Sequence, residues 1–337
     1  MRGNSGLSER KKKTAAAGIA ACLIVAGLTL ALTLYAMRTG SIAVSWGGLL
    51  RGLLVEYDPS VAAIYDLRFP RILVALLAGA TLAASGLLLQ AALRNPLADP
   101  GIIGVSGGAA FTAALVTAFF PALYFSVPVF ACLGGILAFL LIYALSWKGD
   151  LDPVRIILVG VAVSAVFAGL TGALSGATNA SGVSLSVSGL SQRSWGDVRL
   201  LGIYAAVGLV PAFLLAPACN LMALDDQAVR GLGVSAGALR AGISAVAVLL
   251  VSAATAIVGV IGFLALIVPH AARKLVGSDH RILTPFSILL GAFVLLLADT
   301  AGRLIAAPYE IPAAVVMSVA GGPFFIFLLR KGDKIGR

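Results

Sequence analysis

Apolar stretches about as long as a bilayer-crossing helix recur along the whole chain. A helix needs roughly 20 consecutive apolar residues to cross the hydrocarbon core of a membrane. Only 11% of the 337 residues are charged and 60% are hydrophobic, whereas soluble domains are about 25% charged. Too few polar side chains remain to cover a soluble globule of this size. The sequence therefore predicts an all-α polytopic membrane protein and excludes a water-soluble enzyme, a disordered chain and a collagen-like fibre.

The spacing of these stretches predicts about ten transmembrane helices. One segment, 241–272, carries no charge and is too long for one helix, so Gly259 and Gly262 are expected to divide it into one full span and one short span. The ten predicted spans are 15–37, 70–92, 101–120, 127–146, 156–175, 200–218, 242–260, 262–275, 285–303 and 311–329.

The basic residues indicate the orientation of the chain. Its net charge is +10, and clusters of arginine and lysine stand at 10–13 and in the last eight residues. Because such clusters stay in the cytoplasm, both termini are expected there, which requires an even number of crossings. The predicted organisation is a cytoplasmic tail (1–14), a single transmembrane domain (15–329) and a second cytoplasmic tail (330–337). The positive charge thus indicates how a cell-membrane protein is oriented in the lipid bilayer. It does not indicate binding to nucleic acid.

The segment 104–108 matches the GxSxG pattern of serine hydrolases. A serine nucleophile needs a base within hydrogen-bonding reach, and only His270 and His280 are available. Both histidines are expected at the cytoplasmic surface, so a tight helix start after Pro100 is the favoured interpretation. An intramembrane serine protease using Ser106 and His270 stays open as an alternative.

The remaining motifs argue against chemistry on this chain. No lysine follows a glycine, so a phosphate-binding loop is absent from the sequence and any ATP hydrolysis must occur on another polypeptide. The three cysteines form no CxxC pair, so we expect no metal site and no cofactor. Asp299 stands four residues before Arg303 and is expected to pair with it. An ion-coupled carrier, which would need more carboxylates at membrane depth, is the second alternative.

The longest predicted cytoplasmic loop, 219–241, has the pattern of a compact helical knob. Asp225 or Asp226 can cap a short helix, Gly231 or Gly233 can end it, and Ser235 can cap a second short helix. Its apolar residues exceed the needs of a connector. The loop is therefore expected either to bind a partner or to lie on the lipid surface as a helical hairpin.

Several motifs together resemble the FecCD-type permeases, the membrane subunits of bacterial ABC importers for iron–siderophore complexes, haem and vitamin B12. The resemblance covers nearly the whole chain. The residues that carry it are LRFPR at 67–71, RNPLADPG at 94–101, GVSG at 104–107, SWGD at 194–197, AVRGLG at 228–233, IGFLALIVPH at 261–270, GSDHR at 277–281 and AD at 298–299.

The resemblance implies a fold like that of the vitamin B12 permease and the import of an iron chelate, either a siderophore complex or haem. Its expected partners are cytoplasmic ATPase subunits, an extracytoplasmic substrate-binding protein, and a second copy of the chain or a paralogous permease. It also assigns residues to four roles. These are ATPase coupling (Asp225, Asp226, Arg230, Gly231, Gly233), the cytoplasmic gate (Asn95, Pro96, Leu97), binding-protein docking (Arg68, Arg71, Arg303) and lining of the path (Gly160, Ser164, Ala168, Gly172).

Overall fold

The computed structural model describes residues 3–38, 64–101, 103–146, 153–177, 189–307 and 309–332. Within these ranges the regular structure is helical. A π-helical turn, Ile64–Arg68, and a 3₁₀ segment, Pro121–Ser126, accompany the α-helices. The α-helices are α1 Gly3–Arg38, α2 Phe69–Ala92, α3 Val105–Phe119, α4 Val127–Ser146, α5 Pro153–Ala177, α6 Trp195–Leu214, α7 Ala216–Leu221, α8 Asp226–Gly231, α9 Ala236–Val258, α10 Leu264–Val276, α11 His280–Ile305 and α12 Ala313–Gly332.

Each of the ten predicted spans coincides with one of these helices, which confirms the predicted fold class. In the described ranges, seven helices are long and apolar enough to cross a membrane by themselves, and α3 and α12 are shorter apolar helices. The tenth, α10, has 13 residues and ends with basic side chains. The helix that contains the first span is longer than the span itself, because α1 begins at Gly3 within the basic tail, whereas its apolar part is Ala16–Arg38. Residues 333–337 of the second tail lie outside the described residues.

The break predicted between the seventh and eighth spans is also present. Gly259 ends α9 with φ +75°, a backbone conformation that glycine adopts without steric cost. Phe263 begins α10 with φ +65°. The turn between them separates one full helix from one short helix, as the uncharged segment required.

The helix α2 forms the centre of the protein. In its most apolar window 83% of the residues are buried, whereas the corresponding values are 6% for α1 and 17% for α5. It packs against α6, α9, α10 and α11. In lipid, helices associate largely through close van der Waals contact, which small residues permit. The core of the fold is therefore built around one helix, while α1 and α5 lie at the periphery.

Glycines determine how closely the neighbours approach α2. A Cβ atom added to Gly79 would lie 2.8 Å from the carbonyl carbon of Gly291 on α11. One added to Gly86 would lie 2.6 Å from the carbonyl carbon of Ala265 on α10. Both contacts are with backbone, which cannot move aside as a flexible side chain can. These two crossings therefore require glycine.

We expect Gly79→Val to separate α2 from α11 and to lower the free energy of unfolding by about 1–3 kcal/mol, the usual cost of overpacking. Gly27→Val on α1 is the matched control, because a Cβ atom there meets nothing within 4 Å. Thermal unfolding of the detergent-solubilised variants measures the difference. Equal melting temperatures for the two variants would contradict the crossing.

Candidate functional site

The loop between α2 and α3 contains the predicted cytoplasmic gate. Asn95 accepts a hydrogen bond from the backbone N–H of Leu97 (2.9 Å), and Asp99 accepts one from the N–H of Gly101 (2.7 Å). Asp99 is buried, whereas Pro96 is exposed. These side-chain-to-backbone bonds replace the helical hydrogen bonds that the two prolines interrupt. The predicted irregular backbone is present, and these two hydrogen bonds stabilise it.

The predicted knob at 219–241 contains the end of α7, all of α8 and the start of α9. Asp225 caps α8 by accepting from the N–H of Ala228 (2.7 Å), and Gly233 follows the helix with φ +77°. Ser235 acts as a cap, as predicted, but the helix it begins is the 23-residue α9 rather than a second short helix. The prediction was wrong here because the cap and the apolar span that follows form one continuous helix. Arg230 and Gly231 are exposed.

Asp226 joins the knob to the gate loop. Its carboxylate forms ion pairs with Arg94 (2.7 Å) and Arg240 (3.3 Å). Arg94 also donates to the carbonyl oxygen of Met222 (2.6 Å), and Arg240 donates to that of Ala92 (3.0 Å). Burial raises the pKa of Asp226, but the charges of Arg240, Arg94 and Arg230 together outweigh it, so the pKa lies below its usual value. Three segments of the cytoplasmic face are therefore tied to one ionised carboxylate.

Sequence reasoning missed Arg94 and Arg240 as members of this junction. Arg94 directly follows α2 and opens the RNPLADPG motif, and its φ of +48° is rare for an arginine. Arg240 is a cation in the second turn of an otherwise apolar helix. A single cation at the end or the start of an apolar helix is the sequence signal that could have revealed both residues. This signal does not identify Asp226 as their partner.

At the outer end of α2, Arg71 is the centre of an ion-pair network. It pairs with Asp299 at 2.8 Å and with Glu310 at 2.7 Å. Arg303 also pairs with Asp299 (3.3 Å), as predicted. The side chains of Arg71, Arg303 and Asp299 are 12%, 8% and 1% exposed. The sequence analysis placed Arg71 and Arg303 at the rim as docking cations, but both are largely buried in pairs within the chain.

The third predicted docking residue, Arg68, lies in the π-helical turn before α2. It is half-buried and donates to the carbonyl oxygen of Met37 near the end of α1 (3.1 Å).

Glu310 is 46% exposed, and Ser191 donates to it at 3.2 Å. Burial raises the pKa of Glu310, but the bonds from Arg71 and Ser191 lower it more, so the pKa lies below its usual value. The outer face is thus held by ionised groups at neutral pH.

The four predicted path-lining residues on α5 fall into two pairs. Gly160 is buried against the gate-loop backbone, since an added Cβ atom would lie 2.8 Å from the Cα of Ile103. Ser164 donates to the carbonyl oxygen of Gly101 (3.4 Å). Ala168 and Gly172 are exposed, and nothing lies within 4 Å of a Cβ atom added to Gly172. Ser164 is half-buried, so Ala168 and Gly172 are the two of the four residues that lie fully on the surface of the chain.

The structure does not bring the candidate protease residues together. Ser106 is buried in the first turn of α3. The Nε2 atom of His270 has no hydrogen-bond partner among the described residues, and His280 Nδ1 lies 3.0 Å from the side-chain oxygen of Asn220. Neither histidine bonds to the serine. Among the described residues, His, Cys, Asp and Glu also form no group of three that could hold a metal ion.

The overall arrangement agrees with known transporters. The model of the FecCD transport family matches residues 28–331. The chain belongs to this family. The heme-iron transport system permease protein IsdF of Staphylococcus aureus is 44% identical over 313 residues, which cover 93% of this chain and 95% of the relative. With its membrane helices, this member of the FecCD family is a multi-pass permease of the cell membrane, as predicted.

Two solved structures have the same fold. A metal-chelate type ABC transporter in an inward-facing conformation is 29% identical and superposes with a TM-score of 0.78, covering 92% of this chain and 98% of its own. PsaBC from Streptococcus pneumoniae, solved in complex with a Fab, is 18% identical with a TM-score of 0.59, covering 84% of this chain and 95% of its own. The second likeness shows the fold alone.

We expect Asp299→Asn to lower the free energy of unfolding by about 3–5 kcal/mol, because the largely buried Arg71 and Arg303 would then have only the half-exposed carboxylate of Glu310 to balance their charges. Glu310→Gln is the matched control at the same arginine and should have a much smaller effect, since its carboxylate is half exposed. Thermal unfolding in detergent at neutral pH tests the difference. If both variants melt together with the wild type, the network does not stabilise the fold.

Proposed function

We propose that this chain is the permease subunit of an ABC importer and moves an iron chelate, haem or a ferric siderophore, into the cytoplasm. The heme-iron permease similar over 93% of the chain supports this substrate class. The metal-chelate transporter with a TM-score of 0.78 supports it independently. The chain performs no covalent chemistry in this proposal.

The observation that carries the mechanism is the junction at Asp226. ATP is hydrolysed on cytoplasmic ATPase subunits, which bind the exposed knob at 219–241. Because Asp226 connects the knob to Arg94 beside the gate, a displacement of α8 moves the loop that holds Asn95, Pro96 and Leu97. The ion pair thus converts the state of the ATPase into the opening or closing of the gate.

The outer half of the path is formed with a second permease subunit, either a copy of this chain or a paralogue. The exposed Ala168 and Gly172 on α5 permit close approach of that subunit or of the substrate. An extracytoplasmic binding protein delivers the chelate to the outer face. Of the three arginines proposed to dock it, Arg68 is the most suitable for a charge-reversal test, because replacing Arg71 or Arg303 also disrupts the buried network.

Transport is tested by reconstituting the chain in liposomes with its ATPase and binding protein. We expect uptake of haem or of a ferric siderophore that requires ATP. Ser106→Ala should leave the rate unchanged, since Ser106 has no catalytic role in this proposal. Uptake by the chain alone under a proton or sodium gradient would instead support an ion-coupled carrier. Peptide cleavage that Ser106→Ala abolishes would support a protease.

The knob is tested at Gly233, which has φ +77°. We expect Gly233→Val to reduce transport per ATP hydrolysed by about tenfold while the protein stays folded, because valine disfavours this backbone conformation and shifts α8. Gly242→Val, on α9 just outside the knob, is the matched control, since that glycine is exposed, has an ordinary φ and would place its Cβ atom in open space. An unchanged ratio of transport to ATP hydrolysis in Gly233→Val would contradict the coupling role.

A further inference from the structure

A cavity of about 210 Å³ opens at the cytoplasmic end of the bundle. Its walls are the end of α2, the last turns of α4 and the first turns of α9, with Phe139 and Tyr143 on one side and Arg240 and Ser244 on the other. It belongs neither to the gate loop nor to the exposed face of α5. Its lining is mostly apolar, with a few polar groups at one end.

Two side chains in the lining have polar groups that the protein does not fully satisfy: the hydroxyl of Ser244 has no hydrogen-bond partner among the described residues, and the guanidinium of Arg240 shares its carboxylate. Ser244 is 2% exposed, and its hydroxyl has no hydrogen-bond partner among the described residues. Arg240 shares the single carboxylate of Asp226 with Arg94, and Arg230 also acts on that carboxylate. The carboxylate of the neighbouring Asp225 caps α8. Among the described residues, the cations at this junction therefore outnumber the carboxylate that they share, beside an unsatisfied hydroxyl, which suits an oxyanion that accepts from both.

The membrane side of the cavity identifies the kind of ligand. Leu140 lines it and is 54% exposed, and Leu141 and Leu145 continue the exposed apolar face of α4. The volume is below the roughly 300 Å³ at which pockets begin to enclose drug-sized molecules. A ligand that fits has one apolar chain in the groove, the rest of its body in the bilayer, and an anionic group at the cytoplasmic surface.

We propose that this cavity binds an anionic phospholipid of the cytoplasmic leaflet. The phosphate accepts hydrogen bonds from the guanidinium of Arg240 and the hydroxyl of Ser244, and an acyl chain lies against Leu93 and Phe139. Basic pockets between transmembrane helices on the cytoplasmic side are suited to such headgroups. Because Arg240 also pairs with Asp226, the lipid phosphate shares a cation with the junction between knob and gate. The proposal does not depend on which chelate is transported.

Gly237 allows the cavity to be blocked without touching the charges. It lines the cavity, and the nearest atom to an added Cβ is the hydroxyl oxygen of Ser235 at 3.9 Å. A leucine side chain at this position therefore occupies the groove rather than the protein interior. Gly242 stands on the same helix, is exposed and has nothing within 4 Å, but it does not line the cavity. Gly237→Leu and Gly242→Leu form a matched pair.

The test is native mass spectrometry of the purified full-length chain, titrated with phosphatidylglycerol, phosphatidylcholine or inorganic phosphate. We expect one phosphatidylglycerol to bind at least fivefold more tightly than phosphatidylcholine, since one cation near the surface contributes roughly that factor. Gly237→Leu should abolish this binding, Arg240→Gln should weaken it about fivefold, and Gly242→Leu should leave it unchanged.

Three outcomes would overturn the proposal. Equal retention of both lipids would show that no anionic group is recognised. If Gly237→Leu binds phosphatidylglycerol as tightly as the wild type does, the lipid binds outside this cavity. Displacement of the lipid by millimolar inorganic phosphate would show a free-anion site. If Arg240→Gln fails to fold, the Gly237→Leu and Gly242→Leu pair still decides the result, because neither variant alters a charge.

Discussion

The fold depends on the close approach of backbones around α2. Water does not drive helices together within the bilayer, so association requires good van der Waals contact. Gly79 and Gly86 permit that contact by bringing α11 and α10 against the backbone of α2. The burial of α2 is the result, and the four helices α6, α9, α10 and α11 pack directly against it. A side chain larger than hydrogen at either crossing alters the spacing of the bundle.

The two ends of this central helix hold the two charged junctions. Arg71, in its first turn, pairs with Asp299 and Glu310 at the outer surface. Arg94, just beyond its last turn, pairs with Asp226 at the cytoplasmic surface. In each junction, an arginine in α2 or just after it pairs with carboxylates that are distant in the sequence. The helix α2 thus connects the outer ion-pair network to the cytoplasmic one.

A charged group is costly to place in lipid, so the buried carboxylate of the outer junction lies beside arginines and that of the cytoplasmic junction lies at the surface. Asp299 lies deep in the outer junction with two arginines near it, whereas Asp226 lies at the cytoplasmic surface and is one-third exposed. The buried pairs hold the fold, because the loss of one partner leaves an uncompensated charge. The pairs at Asp226 are more exposed to solvent, so each contributes less to stability than the buried pairs do. The same positive excess at the cytoplasmic junction attracts anionic headgroups.

The sequence by itself predicted the ten spans, the break between Gly259 and Gly262, a cap at Ser235 and a cap at either Asp225 or Asp226. Hydropathy, charge clusters and caps depend on neighbours along the chain, so a single sequence carries them. Only the tertiary structure decided that Arg71 binds Glu310, 239 residues away. It also decided which residues of α5 are packed and which are exposed. Such contacts depend on the rotation and depth of each helix, which packing between distant segments determines and local sequence does not.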